Sequence, residues 1–245
     1  MISSFGVGVD KIDLAAAGKR GIPVGNTPDV LNDCVADLGA GSDDRRVARH
    51  RRLGRYLRAG SWPKGAYPLQ HKVSGKKLGI VGLGRIGHAI AKRALAFDMD
   101  IRYHNRRPVV DTSIAHEPSL VELARWCDFL LTIVPGGAAT HHLINEAVLD
   151  ALGTKGYLIN VARGSVVDEP ALVRALTEKR IAGAALDVFA NEPQVPAELM
   201  ALDNVVLVPH IGSATVETRA AMAQRVFDNL KSFFDNGKLI SQATA

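Results

Sequence analysis

Three side chains in the second half of the chain have types and positions suited to carbonyl chemistry. Arg163 follows the apolar run Leu158-Ile-Asn-Val-Ala162 and precedes Gly164. A guanidinium at the mouth of a buried strand can hold a small carboxylate or polarise a carbonyl. It can equally pair with a surface acid. His210 stands in Val208-Pro-His-Ile-Gly212, after an apolar run and before a helix expected to begin near Ser213. Its imidazole suits proton donation near neutral pH, although a lone histidine is also a common packing residue. Glu192 tilts that choice toward catalysis if the fold brings it to His210, because a neighbouring carboxylate favours imidazolium and fixes the ring. The three together would make a general acid beside an anion-binding arginine.

A partner for that chemistry is indicated by Lys77-Leu-Gly-Ile-Val-Gly-Leu-Gly-Arg-Ile-Gly87. Leu78 to Val81 is a short apolar run suited to a buried parallel strand, and His88 to Phe97 has helical spacing of Ala, Ile and Leu. The glycines therefore lie at a strand-to-helix turn. Gly82 permits the turn, Gly84 lets backbone approach a pyrophosphate, and Gly87 lets helix and strand pack closely. Such a turn binds a dinucleotide. The next strand, Asp100 to His104, should end at the adenosine ribose, where NAD enzymes usually carry an Asp or Glu. Here stand Asn105, Arg106 and Arg107. A guanidinium suits a 2′-phosphate that a carboxylate would repel, so the expected cofactor is NADPH, with NADH weaker. The alternative is an ordinary solvated basic turn. Asp187, ending the run Ala182 to Leu186, either accepts from the nicotinamide carboxamide or caps the following turn.

These residues need a frame that delivers them to one place. From residue 78 onward, strand-like pieces at 78–81, 100–104, 129–134, 156–161, 182–187 and 205–208 alternate with helix-like pieces at 86–97, 119–125, 145–150, 169–178 and 215–235. That alternation predicts an α/β fold with a doubly wound parallel sheet, and open sheets of this kind bind ligands at the C-terminal ends of their strands. The first 30 residues differ, with a strand-like Ile2 to Phe5, a turn at Gly6 and Gly8, a short helix over Ile12 to Lys19 and a hinge at Gly25-Asn-Thr-Pro28. They read as the tail of a preceding α/β domain, since a strand starting at Met1 would otherwise have unpaired edges.

The composition, 47% hydrophobic and 22% charged in 245 residues, is that of a globular protein. The net charge of +5 is all contained in Asp43 to Arg58, so a general nucleic-acid footprint is not expected. No apolar run is long enough to span a bilayer, and Met1-Ile-Ser-Ser-Phe does not resemble a signal peptide. A cytoplasmic protein with no membrane partner is expected. Cys34 and Cys127 lack the spacing of a disulfide framework or a zinc site and read as packing residues, and no metal is expected.

Four motifs in order, Ile-Val-Gly-Leu-Gly-Arg-Ile-Gly87, Ile-Asn-Val-Ala-Arg-Gly164, Ala-Leu-Asp-Val-Phe-Ala-Asn-Glu-Pro193 and Pro-His-Ile-Gly-Ser-Ala214, resemble the D-isomer-specific 2-hydroxyacid dehydrogenase family, and within it the NADPH-preferring glyoxylate and hydroxypyruvate reductases. Ser3-Ser-Phe-Gly-Val-Gly8 and Gly25-Asn-Thr-Pro-Asp-Val30 are similar to the end of the family's substrate domain and its hinge. The resemblance implies a Rossmann-type nucleotide-binding domain over residues 31–212, with residues 1–30 and 213–245 as the remnant of a flavodoxin-like substrate domain. It implies reduction of a small 2-oxo acid to the D-2-hydroxy acid. His210 would give the proton, Glu192 would support it, and Arg163 with backbone around Val7 and Gly8 would hold the substrate. Gly82, Gly84, Arg85, Ile86, Gly87, Asn105, Arg106, Arg107, Val161 and Asp187 would hold the cofactor. A homodimer is implied as well. A nucleotide-sensing binding protein, like the family's corepressors, or a catalytically impaired fragment is the alternative.

Two departures stand out. The family's chain has most of a half-domain before the point where this one begins, which reads as truncation. The run Gly39 to Gly54, within an atypical linker at 39–58, is rich in Arg and has no apolar face where the family has an apolar helix. Permitted codons for it, read one base later, give Ala-Leu-Ala-Leu-Met-Ile-Ala-Val-Ser, so compensating frameshifts or a sequencing error are one explanation. A solvated arm is another; an RNA-binding patch is least favoured, because no aromatic residues interleave the arginines.

Overall fold

A computed structural model describes residues 1–43, 54, 56–67 and 72–243. Five helices begin at a side-chain cap that the sequence supplies. Asp13 accepts from the Ala16 amide at 2.8 Å to open α1 (Leu14–Lys19). Ser119, Asn145, Asp168 and Thr215 cap α4 (Leu120–Trp126), α5 (Glu146–Leu152), α6 (Glu169–Thr177) and α8 (Val216–Asn236) in the same way. Each side-chain oxygen satisfies an amide that has no partner within its helix. The remaining helices are α2 (Asn32–Asp43), α3 (Arg85–Leu95) and a short α7 (Ala197–Ala201) that follows Pro196.

Seven strands form one sheet: β3 (Lys77–Val81), β4 (Asp100–His104), β5 (Ala115–His116), β6 (Phe129–Thr132), β7 (Tyr157–Asn160), β8 (Gly183–Leu186) and β9 (Val205–Leu207). Their order is β5-β4-β3-β6-β7-β8-β9 and every neighbouring pair is parallel. The order reverses between β3 and β6, which makes a topological switch point. Alternate residues on the strands feed two cores. Leu78, Ile80, Phe129, Leu131, Ile159 and Ala185 pack with α2 and α3 on one face, while Val81, Leu130, Leu158, Ala184 and Leu186 pack with α4, α5 and α6 on the other. Burying each Leu or Ile contributes about 1.5–3 kcal/mol, so a strand buried on both faces is held from two sides. The fold is the expected α/β Rossmann-like architecture. Expected and observed boundaries agree within a few residues; β5 and α7 were not anticipated.

The N-terminal strand is shorter than expected. β1 (Ile2–Ser3) pairs in parallel with β2 (Val24–Gly25); the Ser4 amide still donates to the Gly25 carbonyl at 2.8 Å, and the bend begins at Phe5. The C-terminal segment closes onto this small sheet, with Gln242 bridging Gly25. Asn229 of α8 is fully buried beneath it. Its Nδ2 donates to the Asn26 carbonyl at 3.2 Å and to Ser241 Oγ at 3.0 Å, and its Oδ1 accepts from the Ser241 amide at 2.9 Å.

In α2 the chain begins the Arg-rich run well packed. Gly39 is buried, and a Cβ there would lie 3.3 Å from Ile90 and 3.5 Å from Leu131, so the helix approaches the sheet closely at that position. At the start of the run the close approach is thus made by glycine backbone and not by an apolar side chain. Asp33 and Asp37 on the outer side of α2 grip Arg93 of α3 at 3.0 and 2.6 Å. Residues 44–53 and 55 lie outside the described residues, and the frameshift, solvated-arm and RNA-patch readings lie there with them. Cys127 is buried and packs beneath Gly79, and burial pushes its thiol up to about 12. It is a packing residue, as expected.

Replacing Asn229 by Ala leaves the buried Ser241 amide without its acceptor. We expect a loss of about 1–3 kcal/mol in urea unfolding. A change below about 0.5 kcal/mol, the range of ordinary surface substitutions, would show that this link does not hold the terminal segments together.

Candidate active site

Two cavities of about 990 and 920 Å³ meet along Val7, Ile86, Ile133, Val134, Pro135 and Gly136, forming one two-lobed cleft at the strand ends. The larger lobe lies at the switch point and is built on the glycine turn. Gly82 has φ +106°, and a Cβ there would come within 2.9 Å of the Ile133 carbonyl. A Cβ on Gly87 would collide with the Gly82 carbonyl, so α3 seats against the turn only with glycine at that position. Gly84 is the N-cap of α3 and no side chain caps that end. The first amides of the helix are thus left to face the lobe that Gly84, Arg85, Ile86 and Gly87 line. Uncapped amides with the positive end of a helix dipole suit a pyrophosphate. The donor set therefore fits a dinucleotide.

The loop after β4 forms the far wall of this lobe, where His104, Asn105, Arg106 and Arg107 all line the cavity. Asn105 is not simply an exposed neighbour of the two arginines. Its Oδ1 accepts from the Leu83 amide at 2.8 Å, tying this loop to the glycine turn, and its carbonyl lies 3.1 Å from His116 Nε2. The buried Tyr103 hydroxyl accepts from the Val109 amide at 2.8 Å and fixes the other side of the loop. Arg106 and Arg107 are exposed and form no ion pair with an acid among the described residues. Arg85 reaches across the mouth to Asp29 at 3.3 Å.

The smaller lobe gathers Val7, Gly8, Val161, Arg163, Asp187 and His210. His210 Nδ1 lies 2.7 Å from Glu192 Oε2. Glu192 is itself fixed, because Oε1 accepts from the Phe189 amide at 3.0 Å. With Nδ1 engaged, Nε2 is the ring nitrogen left for the cavity. The residue has φ +51°, in the left-handed region that few side chains adopt. Asp187 holds it there. Its Oδ1 accepts from the Ile211 amide at 2.6 Å and its Oδ2 from the Gly212 amide at 2.9 Å, while its carbonyl accepts from the His210 amide at 2.9 Å. Its side-chain contacts are thus with the loop of His210, 24 and 25 residues away, and not with the turn that directly follows it. Burial raises the Asp187 carboxyl above the ordinary aspartate value, opposed by those two amides and by His210.

Arg163 reaches the same lobe in the company of an acid. Its Nε donates to Asp10 Oδ1 at 3.2 Å and its Nη1 to the Ala162 carbonyl at 2.7 Å. The ion pair weighed from sequence thus exists, inside the cleft. Asp10 and Asn160 were not singled out in the sequence. Asn160 is buried at the end of β7, where its side chain accepts from Thr132 Oγ1 at 2.8 Å and from the Ala162 amide at 3.0 Å, and donates to the Arg163 carbonyl at 3.0 Å. A polar residue inside the apolar run 158–162 was the available signal for Asn160. Nothing in the first ten residues distinguished Asp10. Among the described residues no group of three or more His, Cys, Asp or Glu could hold a metal ion, and no helix is long and apolar enough to cross a membrane.

Residues 45–212 match the model of the D-isomer specific 2-hydroxyacid dehydrogenase NAD binding domain. The chain is 50% identical over 241 residues to a glyoxylate/hydroxypyruvate reductase A of Arabidopsis thaliana, covering 98% of this chain and 77% of the relative. It is 48% identical over 243 residues to a glyoxylate reductase of Pyrococcus horikoshii, covering 95% of this chain and 72% of that one. An NADPH-dependent glyoxylate/hydroxypyruvate reductase of Sinorhizobium meliloti, solved with NADP and malonate, superposes with a TM-score of 0.94 at 47% identity, over 99% of this chain and 76% of that one. With an NAD-binding fold, a cleft at the switch point and these relatives, the chain belongs to the D-isomer specific 2-hydroxyacid dehydrogenase family of oxidoreductases.

Proposed function

We propose that this chain is an NADPH-dependent reductase that converts glyoxylate or hydroxypyruvate to the D-2-hydroxy acid. The observation that carries the reading is the His210–Glu192 contact at 2.7 Å in the lobe that also holds Arg163, continuous with a lobe fitted to a dinucleotide. Gly82, Gly84, Arg85, Ile86 and Gly87 would hold the pyrophosphate, Asn105, Arg106 and Arg107 the phosphorylated ribose, and Val161 and Asp187 the nicotinamide end. Bound there, the reduced nicotinamide supplies a hydride to the substrate carbonyl carbon. Arg163 takes the carboxylate of the 2-oxo acid, beside backbone of Val7 and Gly8. His210 gives a proton to the carbonyl oxygen from Nε2, and Glu192 holds Nδ1–H and with it the ring orientation. Asp187 fixes the loop that carries His210 and keeps a lone pair on each oxygen for the nicotinamide carboxamide.

We also assign residues 31–212 to the nucleotide-binding domain and residues 1–30 with 213–245 to the substrate domain. The β1–β2 pair, the Gln242 bridge to Gly25 and the Asn229 bonds to Asn26 and Ser241 support that division. The family resemblance supports a cytoplasmic homodimer acting on a small molecule, with neither nucleic acid nor membrane as partner. Light scattering on the purified protein tests the dimer, and a monomer mass at micromolar concentration would exclude it.

Three variants test the chemistry. His210→Gln should lower kcat by about 100-fold or more while NADPH affinity, read by fluorescence, stays the same. Unchanged turnover would remove His210 from the mechanism. Replacing Arg106 and Arg107 together by Ala should weaken NADPH binding by about 10- to 100-fold, the value of lost charge-assisted bonds, and leave NADH affinity nearly unchanged. Equal losses for both nucleotides would refute the 2′-phosphate assignment. Asp187→Ala strands the amides of Ile211 and Gly212, so a stability loss of about 1–3 kcal/mol should accompany a fall in kcat. Full stability with full kcat would show that His210 keeps its backbone conformation unaided.

A further inference from the structure

We propose that Asp10 is a positioning residue for substrate, holding the Arg163 guanidinium in the orientation that receives the carboxylate of the 2-oxo acid. The inference deepens the reading of the smaller lobe given above and rests on it. Although residue 10 as a whole is exposed, its side chain is only 18% exposed and lines the lobe. The turn that carries it is closed by the Ile12 amide donating to the Val9 carbonyl at 2.9 Å. Asp10 therefore enters the cleft on fixed backbone from the N-terminal segment, while Arg163 enters from the end of β7. They meet at Nε.

Nη1 and the stem of the arginine are held as well. Nη1 is committed to the Ala162 carbonyl at 2.7 Å. The stem runs beneath Gly136, where an added Cβ would lie 2.9 Å from Arg163 Cγ and 3.2 Å from Asp10 Cγ. The Nη2 edge lies against Gly8, where a Cβ would collide with it. Among the described residues, Nη2 makes no hydrogen bond. Two of the three nitrogens are thus spent on orientation and the third is left beside the cavity backbone at Gly8, the wall proposed to face the substrate.

A free arginine side chain must give up much rotamer freedom when it clamps an anion, and Asp10 removes that loss before substrate arrives. Its negative charge works in the opposite direction, lowering the attraction of the lobe for an anion. The two effects have opposite signs in KM, which makes them separable. If orientation dominates, removing the carboxylate weakens substrate binding. If Asp10 instead competes with substrate for Arg163, removing it strengthens binding.

Asp10→Ala and Asp10→Asn should be compared with the unaltered enzyme for kcat and KM with hydroxypyruvate, for the oxalate dissociation constant in the presence of NADP⁺, and for NADPH affinity. For Asp10→Ala we expect KM and the oxalate constant to rise about tenfold, equivalent to about 1.4 kcal/mol, with kcat and NADPH affinity within about twofold. Asp10→Asn keeps an oxygen that can accept from Nε, so both constants should stay within about threefold of the unaltered enzyme. Lower constants in the Ala variant would overturn the proposal in favour of competition. A fall in kcat with KM unchanged, or equal damage from Ala and Asn, would overturn it too. Should Asp10→Ala not fold, Asp10→Ser carries the same expectation. If the unaltered chain bound oxalate but did not reduce hydroxypyruvate, the assigned reaction would fall while the oxalate constants still judged Asp10. Absence of oxalate binding to the unaltered chain would remove the role of Asp10 with it.

Discussion

All seven strands of the large sheet run in the same direction, and this constraint determines what the loops can do. Every strand ends at one edge, so the segments after β3, β4, β6, β7, β8 and β9 meet there without any long connection. The reversal of order between β3 and β6 then opens a gap at that edge, because the crossovers leave toward opposite faces. Residues separated by more than one hundred positions, from the glycine turn to His210, share a cleft for this reason. The sheet buries both its faces in apolar side chains and has little chemical character of its own. Its contribution to function is parallel alignment.

Such an arrangement crowds backbone polar groups into half-buried loops, and buried side chains pair with them. Asn160 bonds Thr132 and the loop of Arg163, and Asp187 takes the amides of Ile211 and Gly212. Each stands at the end of a strand, with the geometry of the next loop set by its short side chain. A buried polar group without a partner costs about 1–3 kcal/mol, so these residues are tolerated only where the backbone is arranged to meet them. Asp187 also compensates for the left-handed backbone at His210. The position of the imidazole thus follows from a carboxylate that is itself mostly inaccessible.

Much of this was legible in the chain. The apolar pieces at 78–81, 129–134 and 156–161 read as buried strands and correspond to β3, β6 and β7, and the helix-like pieces starting at 119, 145, 169 and 215 begin within a residue of the observed helices. The glycine turn, Arg163 and His210 are recognisable because each follows such a run, and Glu192 because a carboxylate beside His210 would favour its imidazolium. What was not legible depended on distance. Asp10 acquires its meaning from Arg163, and nothing local at residue 10 records that contact. β5 has two residues and pairs only at the sheet edge, too short for any periodicity. Gly39 looked like the start of a polar run, but its lack of a side chain lets α2 lie against Ile90 and Leu131, a packing role that hydropathy does not register.

The charge arrangement of the cleft follows from the same economy of partners. Acids are present in both lobes, yet each is engaged: Asp29 with Arg85, Asp10 with Arg163, Asp13 with the Ala16 amide, and Asp187 with two backbone amides, while Glu192 beside them holds His210 and the Phe189 amide. Their fields are largely spent on those neighbours. Arg106 and Arg107 in one lobe and Arg219, which lies over the Phe5 ring at 5.6 Å in the other, have no such carboxylate partner among the described residues. An anion entering either lobe therefore meets uncompensated guanidinium groups. The Arg85–Asp29 pair, 69% and 56% exposed, is of the kind worth about 1 kcal/mol or less, so a phosphate can take Arg85 from Asp29 at little cost. The Asp10–Arg163 pair is more sheltered and is held on both sides by glycine-lined backbone. By that difference in burial, the Asp10–Arg163 pair is the costlier of the two to break.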